Sequence, residues 1–162
     1  MDFQNIVRKL DRYWARQGCC LLPPGAASAG PLPAACLAGA ACRPSSGDGL
    51  EGGYRYRVLL RPAPAGARPL FLGALRAAGL DLSEHDLRWN AFDGPQGRGW
   101  AVLLDGLPLA RFAYSRPSGP RSVSVETGLE RLAMTLQKKK APADILWAGR
   151  LTYGELHSGE AA

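Results

Sequence analysis

The spacing of apolar residues changes along this chain from a helical period to strict alternation and back, and this change most constrains the fold. Apolar residues recur every three or four positions over 2–17 and alternate over 54–60. The helical spacing returns over 68–78 and 128–138. These periods predict three helices separated by strand-forming segments.

Short strands are expected between and beside these helices. Asp105-Gly106, which lies between two apolar runs, is typical of the turn of a β-hairpin. The predicted strands cover 54–61, 86–92, 100–104, 109–114 and about 123–125. Helices interleaved with groups of strands predict an α+β domain with a mostly antiparallel sheet flanked by helices.

One long segment has no regular pattern. Residues 23–53 are mainly Gly, Ala, Ser and Pro, and no period continues for long. We expect a loop there, with at most one short helix. A loop of this length within a compact domain is either functional or poorly ordered. The predicted organisation is therefore a single domain over 1–157 that contains the irregular region 23–53, followed by a disordered tail over 158–162.

Composition and cysteine spacing exclude several classes of protein. No window approaches 18 uninterrupted apolar residues, and the polar, amphipathic first helix is not typical of a secretory signal. Charged residues make up 21% of the chain and four Trp are present, which argues against general disorder. Cys19 and Cys20 form no CxxC pair and are interpreted as small buried residues in a reducing cytosol.

The net charge of +6 comes mostly from arginine, which supplies sixteen of the twenty basic residues. An Arg surplus fits a partner that carries phosphate, because the guanidinium group is planar and permanently charged. It fits a GC-rich genome equally well. Composition alone leaves both explanations open.

Two basic groups are candidates for phosphate binding. Arg43 lies in a Gly- and Ser-rich segment, and Arg55, Arg57 and Arg61 project to one face of a predicted strand. The alternative for Arg43 is a solvent-exposed turn without a ligand. The alternative for Arg55, Arg57 and Arg61 is a solvated face of the sheet.

Three further candidates surround the start of the last predicted helix. Glu130 and Arg131 lie in its first turn, where anions are favoured, and Glu126 lies just before it. A carboxylate at Glu126 could hold a substrate ammonium group. Alternatively, Glu130 and Arg131 are ordinary residues on the polar face of the helix. Glu126 then only places a favourable negative charge near the helix N-terminus.

A series of motifs follows in a recognisable order. The chain opens with MDFQNIVRKLDRYWARQGC. Then come VLLRPAP at 58–64, LGALR at 72–76, EHDLR at 84–88, GWAVLLDG at 99–106, FAY at 112–114, VSVE at 123–126, GLERLAM at 128–134 and LTYGE at 151–155. Together these motifs resemble the alpha subunit of bacterial heterotetrameric glycyl-tRNA synthetase.

The resemblance implies a trimmed class II aminoacyl-tRNA synthetase catalytic domain. It also implies a cytoplasmic ligase that activates glycine with ATP and Mg²⁺ and transfers the glycyl group to tRNA. Most tRNA contact is then expected through a beta subunit. A homodimer is expected as well, and no contact with a membrane.

The resemblance also assigns roles to individual residues. Arg131 matches the motif 3 arginine and Arg43 the motif 2 arginine that clamp ATP in this class. Glu126 matches a glutamate that meets the glycine ammonium group. Arg55, Arg57 and Glu130 complete the set expected to bind substrate or ATP, and Mg²⁺ is expected to arrive with ATP, with no protein ligands assigned.

The sequence departs from the family pattern at several substrate-lining positions. Arg55 and Arg57 stand where the family has glutamine, and Ala101 stands where it has glutamate. Two alternatives to a glycine ligase therefore stay open. One is a catalytically impaired paralogue that acts as a nucleotide-binding or assembly module, and the other is a ligase for another small carboxylic acid.

Overall fold

The computed structural model describes residues 2–21, 35–43, 53–94, 97–114 and 121–157. The helices are α1 (Phe3–Arg16), α2 (Ala67–Ala78), α3 (Leu129–Gln137) and α4 (Tyr153–His157), with 3-10 turns at Leu82–Glu84 and Pro142–Asp144. The strands are β1 (Cys20–Leu21), β2 (Ala35–Arg43), β3 (Gly53–Arg61), β4 (Leu87–Gly94), β5 (Gly97–Leu104), β6 (Leu107–Tyr114), β7 (Val123–Gly128), β8 (Leu146–Ala148) and β9 (Leu151–Thr152).

Within these ranges, seven strands form one sheet in the order β1-β2-β3-β7-β6-β5-β4, and β8 pairs with β9 separately. The short β1 runs parallel to β2, and every other neighbouring pair in the large sheet is antiparallel. The predicted α+β architecture with a mostly antiparallel sheet and flanking helices is therefore confirmed.

Helix α1 forms where the apolar period over 2–17 and the residues at its two ends predict a helix. The Asp2 carboxylate accepts a hydrogen bond from the backbone N–H of Asn5 at 2.9 Å, which caps the first turn. Gly18 takes a φ of +92° just after the helix, a conformation that favours glycine. The buried stripe comprises Phe3, Ile6, Leu10 and Trp14. None of the helices in the described ranges is long and apolar enough to cross a membrane.

The helices α1 and α2 pack against one face of the sheet. The hydroxyl of Tyr56 in β3 donates to the Asp11 carboxylate of α1 at 2.6 Å, and burial raises the pKa of that tyrosine. The ring of Phe71 in α2 meets Phe112 of β6 edge-on, with 5.1 Å between centroids. The alternate residues of the strands therefore point to the opposite face, which these two helices leave open.

The segment 35–43 is a strand, so the expectation of a loop or short helix there was wrong. Its Ala, Gly and Cys residues carry no clear hydrophobic alternation. Strand β2 nevertheless pairs with β3 along its whole length, from Ala35 opposite Arg61 to Arg43 opposite Gly53. Backbone hydrogen bonds to a neighbouring strand compensate for weak side-chain patterning. The remainder of 23–52 and the predicted tail at 158–162 lie outside the described residues.

The prediction that Cys19 and Cys20 are both buried and reduced was wrong in part, because Cys19 is buried but oxidised and Cys20 is reduced but exposed. Cys19 is disulfide-bonded to Cys36, and Cys20 is an exposed free thiol. The parallel pairing of β1 and β2 places Cys20 opposite Leu37, which brings the preceding residues of both strands together. The cysteines therefore give no support to a reducing compartment.

Candidate functional site

The sheet face opposite α1 and α2 carries a set of charged side chains that come from three neighbouring strands. Arg57 of β3 lies opposite Glu126 of β7, which in turn lies opposite Arg111 of β6. Arg55 lies two residues before Arg57 and therefore shares its face. We call these four residues the charged row.

Two guanidinium groups hold the single carboxylate of the charged row. Arg55 Nη1 donates to Glu126 Oε2 at 2.9 Å, and Arg57 Nε lies 3.2 Å from Glu126 Oε1. The side chain of Arg55 is 1% exposed and that of Glu126 is 15% exposed, whereas that of Arg57 is 41% exposed. The alternative of a solvated sheet face is therefore wrong for Arg55, which forms a buried ion pair.

The contacts of Glu126 with Arg55 and Arg57 affect its expected role, which is to bind the ammonium group of the substrate. Each of its carboxylate oxygens already faces a guanidinium group. Arg111 contributes a third positive charge nearby, and its guanidinium carbon lies 4.1 Å from the centroid of the Phe92 ring. Binding of an ammonium group by Glu126 stays a prediction, and two arginines would compete with it.

Arg131 occupies the third position of α3, directly after β7. Leu129 and Leu132 on the same helix are buried, while the Arg131 side chain is partly exposed. Its guanidinium group has no hydrogen bond or ion pair with any residue that the structure describes. The N-cap residue Gly128 provides no side-chain cap, and in the first turn the backbone N–H of Glu130 bonds to its own carboxylate. Arg131 and the other N–H groups of this turn are suited to a phosphate group.

Glu130 faces a different environment from Arg131, although the two are adjacent. Its Oε1 accepts a hydrogen bond from the backbone N–H of Tyr54 at 2.6 Å and another from the Tyr153 hydroxyl at 3.2 Å. A Cβ added at Gly53 would lie 2.5 Å from the same oxygen, and the φ of +142° at this residue itself favours glycine. Glu130 thus joins α3 to β3 and α4, and its predicted contact with substrate or ATP stays a prediction.

An aromatic cluster surrounds this carboxylate and anchors the last described segment. The Phe3 ring stacks on Trp147, and the Tyr153 ring stacks on His157 with 4.0 Å between centroids. The Tyr54 hydroxyl lies 3.0 Å from His157 Nε2. Residues from α1, β3, β8 and α4 therefore pack around Glu130.

The stability of the protein should depend on pH through Glu130. Burial raises the pKa of its carboxyl above the ordinary value of 4.5, although the hydrogen bonds from Tyr54 and Tyr153 act in the opposite direction. The folded state thus binds the proton more tightly than the unfolded state. Stability from this group is fully present below pH 4.5 and is lost as the pH rises through the folded pKa.

We expect Glu130→Gln to reduce the loss of stability as the pH rises, because glutamine retains a hydrogen-bond acceptor but does not ionise. Urea unfolding of both proteins at pH 4.5 and pH 7.5 measures the difference. The matched variant Glu84→Gln changes an exposed carboxyl and should leave the wild-type difference unchanged. An equal pH dependence in Glu130→Gln and wild type would contradict the prediction.

The remaining predictions concern Arg43 and the metal. Arg43 is the last residue of β2 and pairs with Gly53 in register, and its role in ATP binding stays a prediction.

Among the described residues, no group of three or more His, Cys, Asp or Glu is placed to hold a metal ion. The carboxylates of Glu126 and Glu130 already bind protein donors. The binding of Mg²⁺ together with ATP stays a prediction.

Sequence reasoning missed two parts of this region. Arg111 was not singled out, although the hairpin at Asp105-Gly106 and the alternation of β6 would have placed it on one sheet face. The aromatic cluster gave no local signal, because its members come from both ends of the chain and from β3. By contrast, the shared face of Arg55 and Arg57 was predicted correctly from alternation alone.

Comparisons with known proteins agree with the fold. A pyrrolysyl-tRNA synthetase structure from Desulfitobacterium hafniense superimposes with a TM-score of 0.66 at 12% identity, over 92% of this chain and 72% of that chain. A second structure of the synthetase from this organism gives a TM-score of 0.63 at 13% identity, over 94% and 75%. These likenesses show the class II aminoacyl-tRNA synthetase fold. The model of the glycyl-tRNA synthetase alpha subunit family matches residues 46–161, and the chain belongs to that family.

Proposed function

We propose that this protein activates the carboxylate of a small acid with ATP and then passes the acyl group to tRNA. The observation that carries the proposal is the position of Arg131. It is partly exposed in the first turn of α3, has no partner among the described residues, and lies in the GLER segment within the family match.

The reaction needs positive charge around the phosphates more than it needs an acid or base. A carboxylate oxygen of the acid attacks the α-phosphorus of ATP, and pyrophosphate leaves with the electrons of the broken P–O bond. Arg131 and the N–H groups that begin α3 would hold phosphate oxygens while negative charge develops. Mg²⁺ bound to ATP would neutralise further charge.

Family membership makes glycine the first acid to test and tRNA(Gly) the expected acceptor. It further supports transfer with a beta subunit that carries most of the tRNA contact. A homodimer and a cytoplasmic location belong to the same proposal. No described residue is assigned to tRNA contact.

Exchange of labelled pyrophosphate into ATP tests the activation step directly. The assay takes the full chain with and without the beta subunit, and with glycine or one of several small mono- and dicarboxylic acids. Acid-dependent exchange with any one of them is the expected result. Absence of exchange with every acid under both conditions would overturn the proposed activity and leave the fold unaffected.

A second candidate is a non-catalytic module that keeps the scaffold and binds nucleotide. It is favoured by the two carboxylates expected to meet substrates, because Glu126 and Glu130 are both bound by other residues of the chain. ATP binding measured by calorimetry separates the candidates. Binding that depends on Arg131 without any exchange would support the module.

A further inference from the structure

The exposed face of α1 carries a row of arginines. Arg8, Arg12 and Arg16 follow each other at intervals of four residues, on the side of the helix opposite its buried stripe, and all three are exposed. Each lies about 6 Å further along the helix axis than the one before it. We call these three residues the basic row.

The acidic residues of this helix do not neutralise the basic row. The Asp2 carboxylate accepts hydrogen bonds from the backbone N–H groups of Asn5 and Gly149. The Asp11 carboxylate accepts one from the Tyr56 hydroxyl. Among the residues that the structure describes, none forms an ion pair or hydrogen bond with the guanidinium groups of the basic row. Like charges four residues apart repel each other on a helix, so an anionic partner would stabilise this face.

Helix α2 adds a further arginine beside the basic row. The Tyr13 hydroxyl of α1 donates to the backbone carbonyl of Leu70 in α2 at 2.7 Å, which holds the two helices together. The exposed Arg76 of α2 lies near Tyr13, where its charge opposes the rise in the pKa of that tyrosine that burial causes. Tyr13 and Arg16 are three residues apart and are therefore neighbours on the surface of α1. The positive surface thus extends from one helix to the next.

The other exposed residues of α1 indicate which anionic partner fits this surface. They are Gln4, Asn5 and Ala15, and none of them has a large apolar side chain. A helix that inserts into a membrane surface needs such side chains opposite its basic residues. The core of a protein interface is likewise depleted in charge and enriched in aromatic residues. A polyanion that is bound through its charges, such as the sugar–phosphate backbone of RNA, therefore fits best.

We propose that the basic row, together with Arg76, binds the phosphate backbone of RNA independently of base sequence. Family membership makes tRNA the RNA to test, and in that choice the inference rests on the proposed function. The surface acts outside the activation step, because exchange of pyrophosphate into ATP proceeds without RNA.

Fluorescence anisotropy of a labelled tRNA(Gly) transcript tests this surface. The full chain is titrated at several salt concentrations, and the variant replaces all three residues of the basic row with glutamine. We expect this variant to bind about tenfold more weakly than wild type, or weaker still, at about 0.1 M salt. The slope of log K against log salt concentration should become shallower by about two to three, because three phosphate contacts are lost. A transcript of scrambled sequence should give the same results, since the contacts are to the backbone.

The matched control removes the same charge from exposed arginines elsewhere. It replaces with glutamine one arginine of β4, one of β5 and one just before β9, namely Arg88, Arg98 and Arg150. This variant should bind the transcript within about threefold of wild type, because charges more than about 10 Å from the RNA are screened at this salt concentration. Circular dichroism confirms that both variants are folded. Polyglutamate, and vesicles of phosphatidylserine and phosphatidylcholine in equal parts, are tested as competitors.

Any of four results would contradict the inference. They are no binding of the transcript by wild type at the lowest salt concentration, equal affinity in wild type and the basic-row variant, equal losses in the basic-row variant and its control, and tighter binding of a competitor than of the transcript. The last would assign the basic row to a membrane or an acidic protein. RNA binding that depends on the basic row, with no pyrophosphate exchange, would remove the proposed activation step and leave this surface standing.

Discussion

Replacing Glu126 with alanine is expected to lower the free energy of unfolding by about 3–5 kcal/mol. The carboxylate binds Arg55 at 2.9 Å, and the Arg55 side chain is 1% exposed. Removing Glu126 takes away the carboxylate that faces the buried Arg55 guanidinium group, and it leaves Arg55 and Arg57 as two like charges on the same sheet face. Urea unfolding monitored by circular dichroism at pH 7 measures the loss.

The exposed pair of Arg88 and Asp86 provides the matched control for this variant. The Arg88 Nε and Asp86 Oδ2 atoms lie 2.8 Å apart, but the side chains of Arg88 and Asp86 are 69% and 56% exposed. Asp86→Ala removes a carboxylate from an arginine in the same way and should cost no more than about 1 kcal/mol. Equal losses in the two variants would show that burial of Arg55 contributes nothing to the effect.

Replacing Arg131 with alanine is expected to lower the rate of acid-dependent pyrophosphate exchange by about 10²–10³-fold. The guanidinium group has no hydrogen bond or ion pair with a described residue, so the substitution removes charge from the site without breaking such a bond there. ATP affinity should fall with the rate. Exchange kinetics and calorimetric titration with ATP measure the two effects separately.

Two further variants make the Arg131 result specific. Arg131→Lys keeps the charge but loses the planar fork, so an intermediate rate is expected. Arg12→Ala makes the same truncation at an exposed position of α1 and should retain the wild-type rate. Unchanged exchange and ATP binding in Arg131→Ala would contradict a phosphate-binding role.

Local patterns predicted much of the fold. The first helix was expected over 2–17 and spans Phe3–Arg16, and the strand expected at 54–61 is β3 from Gly53 to Arg61. The hairpin at Asp105-Gly106 joins β5 and β6 as predicted. These elements follow from residues that are close in the chain, such as caps, turn residues and apolar periods.

The candidate site was predictable only in part. Alternation placed Arg55 and Arg57 on one face, and Glu126 and Arg131 lie on either side of the junction between β7 and α3 that the sequence also predicts. The ion pairs were not predictable, because β3 and β7 are neighbours in the sheet but lie some 70 residues apart in the chain. The presence of Arg111 beside Glu126 likewise depends on the strand order.

The sequence by itself determined the three longer helices, the five strands β3 to β7, the hairpin and the face on which the residues of β3 lie, because those properties arise from interactions within a few residues. Only the tertiary structure decided that the weakly patterned 35–43 becomes a strand, that Cys19 meets Cys36, and that Glu126 lies between two arginines. The physical reason is that strand order and register bring distant residues together. A carboxylate expected to bind substrate can therefore be neutralised by residues that its local sequence does not contain.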